Sequence, residues 1–424
     1  MPTITTIINI RYNKGLIYMI LNKICLWFTL LFVASVLMIN TGCTKKDNLT
    51  GNNWSNVKPI TVIDTSFVMG YSYNNEGKVK GTETTLLCGN EDEIEAVTIL
   101  RFTDFPDTMT VTGQPLLKLV ATRRSPLVRN PLILSFYKVN VNWAADSTSL
   151  ITDGNMTALS IANFTVQDTI LTTGDTLSIP IPIEVIQNWK TTNVTGFNLA
   201  LKASANSWLE FKALESSNGP LLVFSYTTPT VTTSTEYSKR TAKDSYRITG
   251  TQTPLINNSW KLKNLLPQRM FVRFGMPNSL FKDADNNQLS STDIRRMTVN
   301  KAELVMYVKN NPYFNATSKC YVYPYHVRRD TLTTPAALVN DDLTAVTHSY
   351  SSVKPITGDS IVVDITAITQ AYTSGDLAKN GIVIKSIYEM LNYGNIEFWH
   401  YNDAPIAKKP YVKITYTTPY LKGD

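Results

Sequence analysis

The chain has 424 residues, of which 43% are apolar, 10% aromatic and only 17% charged, with a formal net charge of +7. That length exceeds one ordinary domain of ~100–150 residues. The low charge, made up by Thr, Asn, Ser, Val, Ile and Tyr, favours pleated strands and polar turns over helix. So small a basic excess argues against nucleic-acid binding, which needs clustered positive charge.

In chain order, Arg11, Lys14 and Lys23 are the only charges before an apolar run from Ile24 to Ile39. A basic start followed by an apolar stretch and small residues is the pattern of a secretory signal peptide, and the run is short for a membrane span of roughly 20 residues. Asn40-Thr41-Gly42-Cys43, followed by the polar Thr44-Lys45-Lys46-Asp47-Asn48, resembles a bacterial lipoprotein cleavage site, with Asn40 where an aliphatic residue is usual. The expectation is a signal peptide over 1–42, with an alternative start at Met19, acylation of Cys43 and a tether over 43–57. That implies export and a lipid anchor in a bacterial, outer, membrane. Removing 1–42 leaves 37 Lys+Arg against 33 Asp+Glu, a mildly basic mature chain.

The rest of the chain repeats itself. Gly219-Pro220-Leu221-Leu222-Val223-Phe224-Ser225-Tyr226-Thr227-Thr228-Pro229 is echoed by Lys409-Pro410-Tyr411-Val412-Lys413-Ile414-Thr415-Tyr416-Thr417-Thr418-Pro419. Leu100-Arg101-Phe102 recurs as Val272-Arg273-Phe274, Pro115 to Val120 as Ala302 to Val308, and Gly174-Asp175-Thr176 as Gly358-Asp359-Ser360. Gly196 to Ala203 then pairs with Gly381 to Ser386, and Leu209-Glu210-Phe211 with Ile396-Glu397-Phe398. Ordered matches at near-constant offset mark an internal duplication. Most are short runs alternating apolar with polar between turn residues, the signature of strands. Ala302, Leu304, Met306 and Val308 should share an inward face. Helical turns are expected around Pro182–Lys190 and Ile365–Tyr372. The fold expected is all-β, two tandem antiparallel jelly-roll-like sandwiches over 58–229 and 240–419 with a linker over 230–239.

Thr85-Leu86-Leu87-Cys88-Gly89 leading to Thr98-Ile99-Leu100-Arg101-Phe102, the aromatic end of the Phe136–Trp143 run, the strand running into a short helix before Trp189 or Tyr372, and the Pro-led last strand together resemble DNRLRE-type domains. These are secreted bacterial β-sandwiches, some of which bind acidic polysaccharide. The family's eponymous hexapeptide is absent. The resemblance implies a pair of non-catalytic carbohydrate-binding modules, with a structural or adhesive surface component as the alternative.

The residues themselves offer little catalytic chemistry. His326, His348 and His400 lack metal-ligand spacing, and no Gly-x-Ser-x-Gly elbow or phosphate loop appears. No cofactor is expected. Asp283, Asp285 and Asn287 alternate oxygens as in a calcium loop, against the blander reading of a polar hairpin. Cys88 and Cys320 read as buried small hydrophobes, a bridge between them having to cross the two repeats. Asp-(Ser/Thr)-aliphatic triplets such as Asp175-Thr176-Leu177 and Asp359-Ser360-Ile361 resemble acceptors for bacterial O-glycosylation, or are turn-to-strand junctions.

Arginine suits bidentate capture of a sugar carboxylate, and aromatic faces suit sugar rings. The platforms available are Trp208, Trp260, Trp399, Tyr321, Tyr323 and Tyr325, with Trp143 and Trp189 assigned to the interior. The glycan-contacting candidates are Arg328, Arg329 and Trp399 in the second repeat and Arg123, Arg124 and Trp208 in the first, with His400 and Tyr401 beside Trp399. For each arginine pair, solvated surface charge is the competing reading.

Overall fold

The computed structural model describes residues 58–419 except 76, 92, 107, 126–130, 167–173, 190–195, 252–259, 311–319, 331–337, 347–350 and 354–358. The signal peptide, Cys43 and tether expected over 1–57 lie outside the described residues. The fold is all-β: two large antiparallel assemblies, each a sandwich whose layers share one long strand. In the first, Leu116–Arg124 pairs with Thr176–Pro180 and Leu221–Thr227 in one layer, then with Ser207–Lys212 in the other. In the second, Thr298–Asn310 pairs with Ser360–Asp364 and Tyr411–Thr417, then with Asn395–Phe398. Register shifts between Val299 and Lys301 and between Val308 and Asn310 bend this 13-residue strand from layer to layer.

Alternation sets which face each strand buries. Ala302, Leu304 and Met306 are fully buried, with Val308 packed against the same core, while Lys301 and Glu303 turn outward and pair with each other at 2.6 Å. Leu117, Leu119 and Ala121 do the same in the first sandwich. The helical turns fall at Ile183–Gln187 and Thr366–Ser374. Gly375, at φ 85°, ends the second in the left-handed conformation that glycine adopts without cost.

Strand pairing divides the chain differently from the expected 58–229 and 240–419. Ile60–Asp64 and Phe67–Asn74, at the start of the expected first repeat, hydrogen-bond in the second sandwich, along Tyr411–Thr417 and Gln268–Phe274. Thr235–Arg240 and Lys243–Gly250, in the expected linker and the start of the expected second repeat, complete the first, along Leu221–Thr227 and Ile94–Phe102. Each sandwich is therefore finished by the strand pair lying ahead of the other, and residues 230–239, expected as linker, include part of one exchanged strand.

The sandwiches also meet through side chains. Leu265 and Tyr393, from loops of the second, join the hydrophobic core of the first. Tyr393 stacks on Trp208 with ring centroids 5.8 Å apart, and the fully buried Tyr246 donates its hydroxyl to the Met390 carbonyl. Gly89 permits this approach: a Cβ there would lie 2.5 Å from Trp208 Cβ and 2.6 Å from the Tyr393 hydroxyl.

Candidate ligand-binding cleft

Strand Cys320–Val327 carries tyrosine at every second position, so Tyr321, Tyr323 and Tyr325 share the half-exposed face while Val322 and His326 point inward. Tyr323 and Tyr325 lie with ring centroids 5.1 Å apart. The neighbouring strand Ile382–Ser386 sets Lys385 opposite Tyr323, and its ammonium sits 4.6 Å from the Tyr325 ring centre. One strand further on, Arg269 grips Glu389 bidentately at 2.7 Å and 2.7 Å and donates to Asn340 Oδ1 at 2.6 Å.

Tyr323, Tyr325, Lys385, Arg269 and Glu389 form the floor of a cleft of about 1130 Å³. Asn74, Asn75, Gly77, Lys78 and Lys80, which follow the exchanged strand Phe67–Asn74, form one wall, and Leu338, Val339, Asn340 and Leu343 form another. The volume lies just above the ~300–1,000 Å³ typical of small-molecule sites. Burial, and then the cations of Arg269 and Lys80, push the Lys385 ammonium below its ordinary range, with Glu389 opposing. Burial likewise pushes the Tyr73 hydroxyl, beside Arg269, up to about 12. Glu389 is the one carboxylate among the described lining residues and is neutralised by Arg269. What remains is a wide basic trough with aromatic faces and amide groups, suited to holding a polyhydroxylated anion.

The residues singled out in the first repeat lie elsewhere. Trp208 is only 2% exposed, sandwiched between Tyr393 and the Arg123 guanidinium, whose carbon lies 5.3 Å from the ring centre. Arg123 is bound to the buried Glu210 at 2.8 Å, and Arg124 is buried with its Nε donating to the Ser125 carbonyl at 3.4 Å. Trp208 and Arg124 are buried and Arg123 is half-buried, and Tyr393, from a loop of the second sandwich, covers the Trp208 ring. Trp143 is interior as expected, while Trp189 is half-buried against the core.

In the second repeat, Trp399 is half-buried with the Lys309 ammonium 5.5 Å from its ring centre, and it does not line the cleft. Arg328 and Arg329 are exposed and brace the cleft wall from outside. Arg329 pairs with Asp342 at 2.9 Å, and Arg328 donates from Nε to the Thr344 hydroxyl and from its backbone to the Asp342 carbonyl.

Two histidines have structural roles. His400 donates from Nε2 to the Gly70 carbonyl at 3.0 Å and accepts the Asn402 amide at Nδ1, which fixes a neutral tautomer. His326 contacts the Tyr372 hydroxyl at 3.0 Å, which in turn donates to the Gly381 carbonyl. Burial lowers the basicity of both imidazoles.

The Asp283 carboxylate is turned into its own loop, accepting the backbone amides of Asp285 and Asn287 at 2.9 and 2.8 Å, the geometry of a polar turn. Among the described residues, no three His, Cys, Asp or Glu side chains converge as a metal site. Cys88 is a free, fully buried thiol hydrogen-bonded to the Leu201 carbonyl, and the Cys320 side chain lies outside the described residues.

Sequence reasoning named Tyr321, Tyr323 and Tyr325 as sugar platforms but missed Lys78, Lys80, Arg269 and Lys385. Their only signal was the alternation of Lys385 with inward aliphatics; Lys78 and Lys80 arrive through strand exchange, and Arg269 lies on the acceptor strand Gln268–Phe274. No protein-family model matches the chain, and no curated protein is detectably similar to it.

Proposed function

We propose that the protein is an exported, lipid-anchored, non-catalytic binder of acidic polysaccharide, and that the cleft over Tyr323, Tyr325 and Lys385 is its binding site. The observation that carries this reading is the Lys385 ammonium held 4.6 Å from the Tyr325 ring in a trough also lined by Lys78 and Lys80. A sugar ring stacks on the tyrosine faces, the lysines meet its carboxylates, and the asparagine amides of the walls bond its hydroxyls. The basic mature chain and the signal-peptide pattern support the same placement at a glycan-bearing surface.

The test is titration calorimetry of the full chain with uronate-containing and neutral oligosaccharides at two salt concentrations. Tyr325→Ala and Lys385→Ala should each cost about 2 kcal/mol of binding, the size expected for an anchor residue. Affinity should fall as salt rises, because exposed charges are screened within about 8 Å at physiological ionic strength. Equal affinity for neutral and acidic sugars, or unchanged affinity in both variants, rejects the site.

A further inference from the structure

The exchanged strands carry addresses. Phe67–Asn74 is matched to the second sandwich at several points. Gly70 lies against the Trp260 indole, where even a Cβ would come within 2.6 Å of Nε1. Ser72 Oγ accepts the Lys261 amide at 2.5 Å and donates to the Lys261 carbonyl at 3.1 Å. Phe67 stacks on Tyr401 with ring centroids 5.3 Å apart, and the Asp64 carboxylate accepts the Met276 amide at 2.9 Å.

The other pair is matched as closely to the first sandwich. Asp244 accepts the Leu214 amide at 2.7 Å, Ser245 donates to the Ala145 carbonyl at 2.7 Å, and Arg247 pairs with Glu95 at 3.1 Å and Asp153 at 2.6 Å. Gly70 lies opposite Val272, and Asp244 lies opposite Leu100, the repeat equivalent of Val272. Interchanging the donors therefore sets the Asp244 carboxylate against the Trp260 ring and puts Tyr73 where Arg247 neutralises two carboxylates. Neither strand pair fits the sandwich that follows it in sequence.

Strands Ile60–Asp64 and Phe67–Asn74 thus have one kind of acceptor, a second sandwich, and reach their own only through the connection 75–84. The pairing contacts of the strands themselves are the same whether the acceptor belongs to the same chain or to another. We propose that Ile60–Asn74 is exchangeable between copies of this chain, completing the second sandwich of a neighbouring molecule and linking molecules together. The strand pairing is the one already described, so linkage remakes the same donor contacts, at the cost of rearranging the connection 75–84, whose Gly77 and Gly81 lie against Met390 and Ala145. A donor given away leaves its own acceptor open for a third chain, which makes the linkage head-to-tail and extendable. The competition is set by concentration, because a short connection holds the donor near its own acceptor at an effective concentration on the order of millimolar.

Ile63 and Lys413 face each other across the donor edge, and both are exposed. One full-length copy carrying Ile63→Cys and a second carrying Lys413→Cys are mixed in detergent, unfolded in guanidinium, refolded together and oxidised. Within one chain the two introduced thiols never meet, so a disulfide-linked peptide pair spanning these positions, identified by mass spectrometry, reports exchange between chains. At ~100 µM chain on the order of one molecule in ten should be linked, rising severalfold at ~1 mM. A yield no greater than that obtained when Val231→Cys, exposed between the two halves, replaces Ile63→Cys overturns the proposal. So does a yield that does not rise with concentration.

Discussion

Replacing Gly70 with alanine tests the closest contact between an exchanged strand and its acceptor. The added Cβ would stand 2.6, 2.8 and 2.9 Å from three atoms of the Trp260 indole. That ring is fully buried and held on its other sides by Phe67 at 5.6 Å, His400 at 5.4 Å and Tyr401 at 6.0 Å, so it has no free direction in which to swing. Overpacking of this kind costs about 1–3 kcal/mol, whereas removing a glycine from the unfolded chain returns about 0.4–1 kcal/mol. The net expected for Gly70→Ala is a destabilisation of about 1–2 kcal/mol, read as a lowered guanidinium midpoint at unchanged slope. Gly154→Ala, whose Cβ would lie 3.7 Å from the nearest atom, Thr152 Oγ1, serves as the control and should be nearly neutral. Trp260→Phe combined with Gly70→Ala should cost less than the two changes summed, since the smaller ring yields the space. An unchanged or raised midpoint in Gly70→Ala would refute the reasoning.

Arg123→Ala strands the buried Glu210 carboxylate, so it should cost about 3–5 kcal/mol in stability while leaving glycan affinity alone; a binding defect without destabilisation would return Arg123 to the ligand-contacting residues. Burial pushes the Asp244 carboxyl up to about 7, despite its hydrogen bonds from Leu214 and Thr241. The folded chain then holds a proton that the unfolded chain has released, and this site removes up to about 1.4 kcal/mol of stability per pH unit as pH rises from ~4 to ~7. Asp244→Asn should therefore gain on the parent chain across that window and run parallel to it below pH ~4; a pH-independent difference would count against the buried acid. Because each sandwich holds strands of the other, scanning calorimetry should give one unfolding transition, and two resolved peaks would contradict the interlocked fold.

Strand identity and inward faces were legible wherever alternation was clean, as in Thr298–Asn310, and both helical turns announced themselves by a shift in apolar spacing. The duplication was legible too, since its landmarks are core positions that any copy of the sandwich must keep. The exchange was not. An added strand is held largely by main-chain hydrogen bonds, which leave no residue signature, and the addresses that fix it are single contacts such as Gly70 with Trp260, meaningful only once both strands are placed. The same blind spot explains Trp208: strand alternation gives it an outer face, but Tyr393, nearly two hundred residues on, covers it. The tyrosine row of Cys320–Val327 was readable as a platform from its period, while Lys78 and Lys80 of the same cleft come from 75–84, a segment whose position depends on the exchange.

The pairing of Ile60–Asp64 with Tyr411–Thr417 joins residues such as Thr61 and Thr415, 354 positions apart. In synthesis the first of these strands emerges long before its partner exists. For most of the time the chain is being made, Ile60–Asn74 is an unpaired, β-branched and aromatic segment next to a first sandwich that its sequence does not fit. The first sandwich meanwhile remains unfinished until 235–250 have followed it out. Closure of such distant pairs is slow, and an open strand edge is a template for aggregation while it waits. The order in which this molecule can mature is thus written into its topology: inner repeat first, closed by the middle strands, and the earliest strands placed last of all.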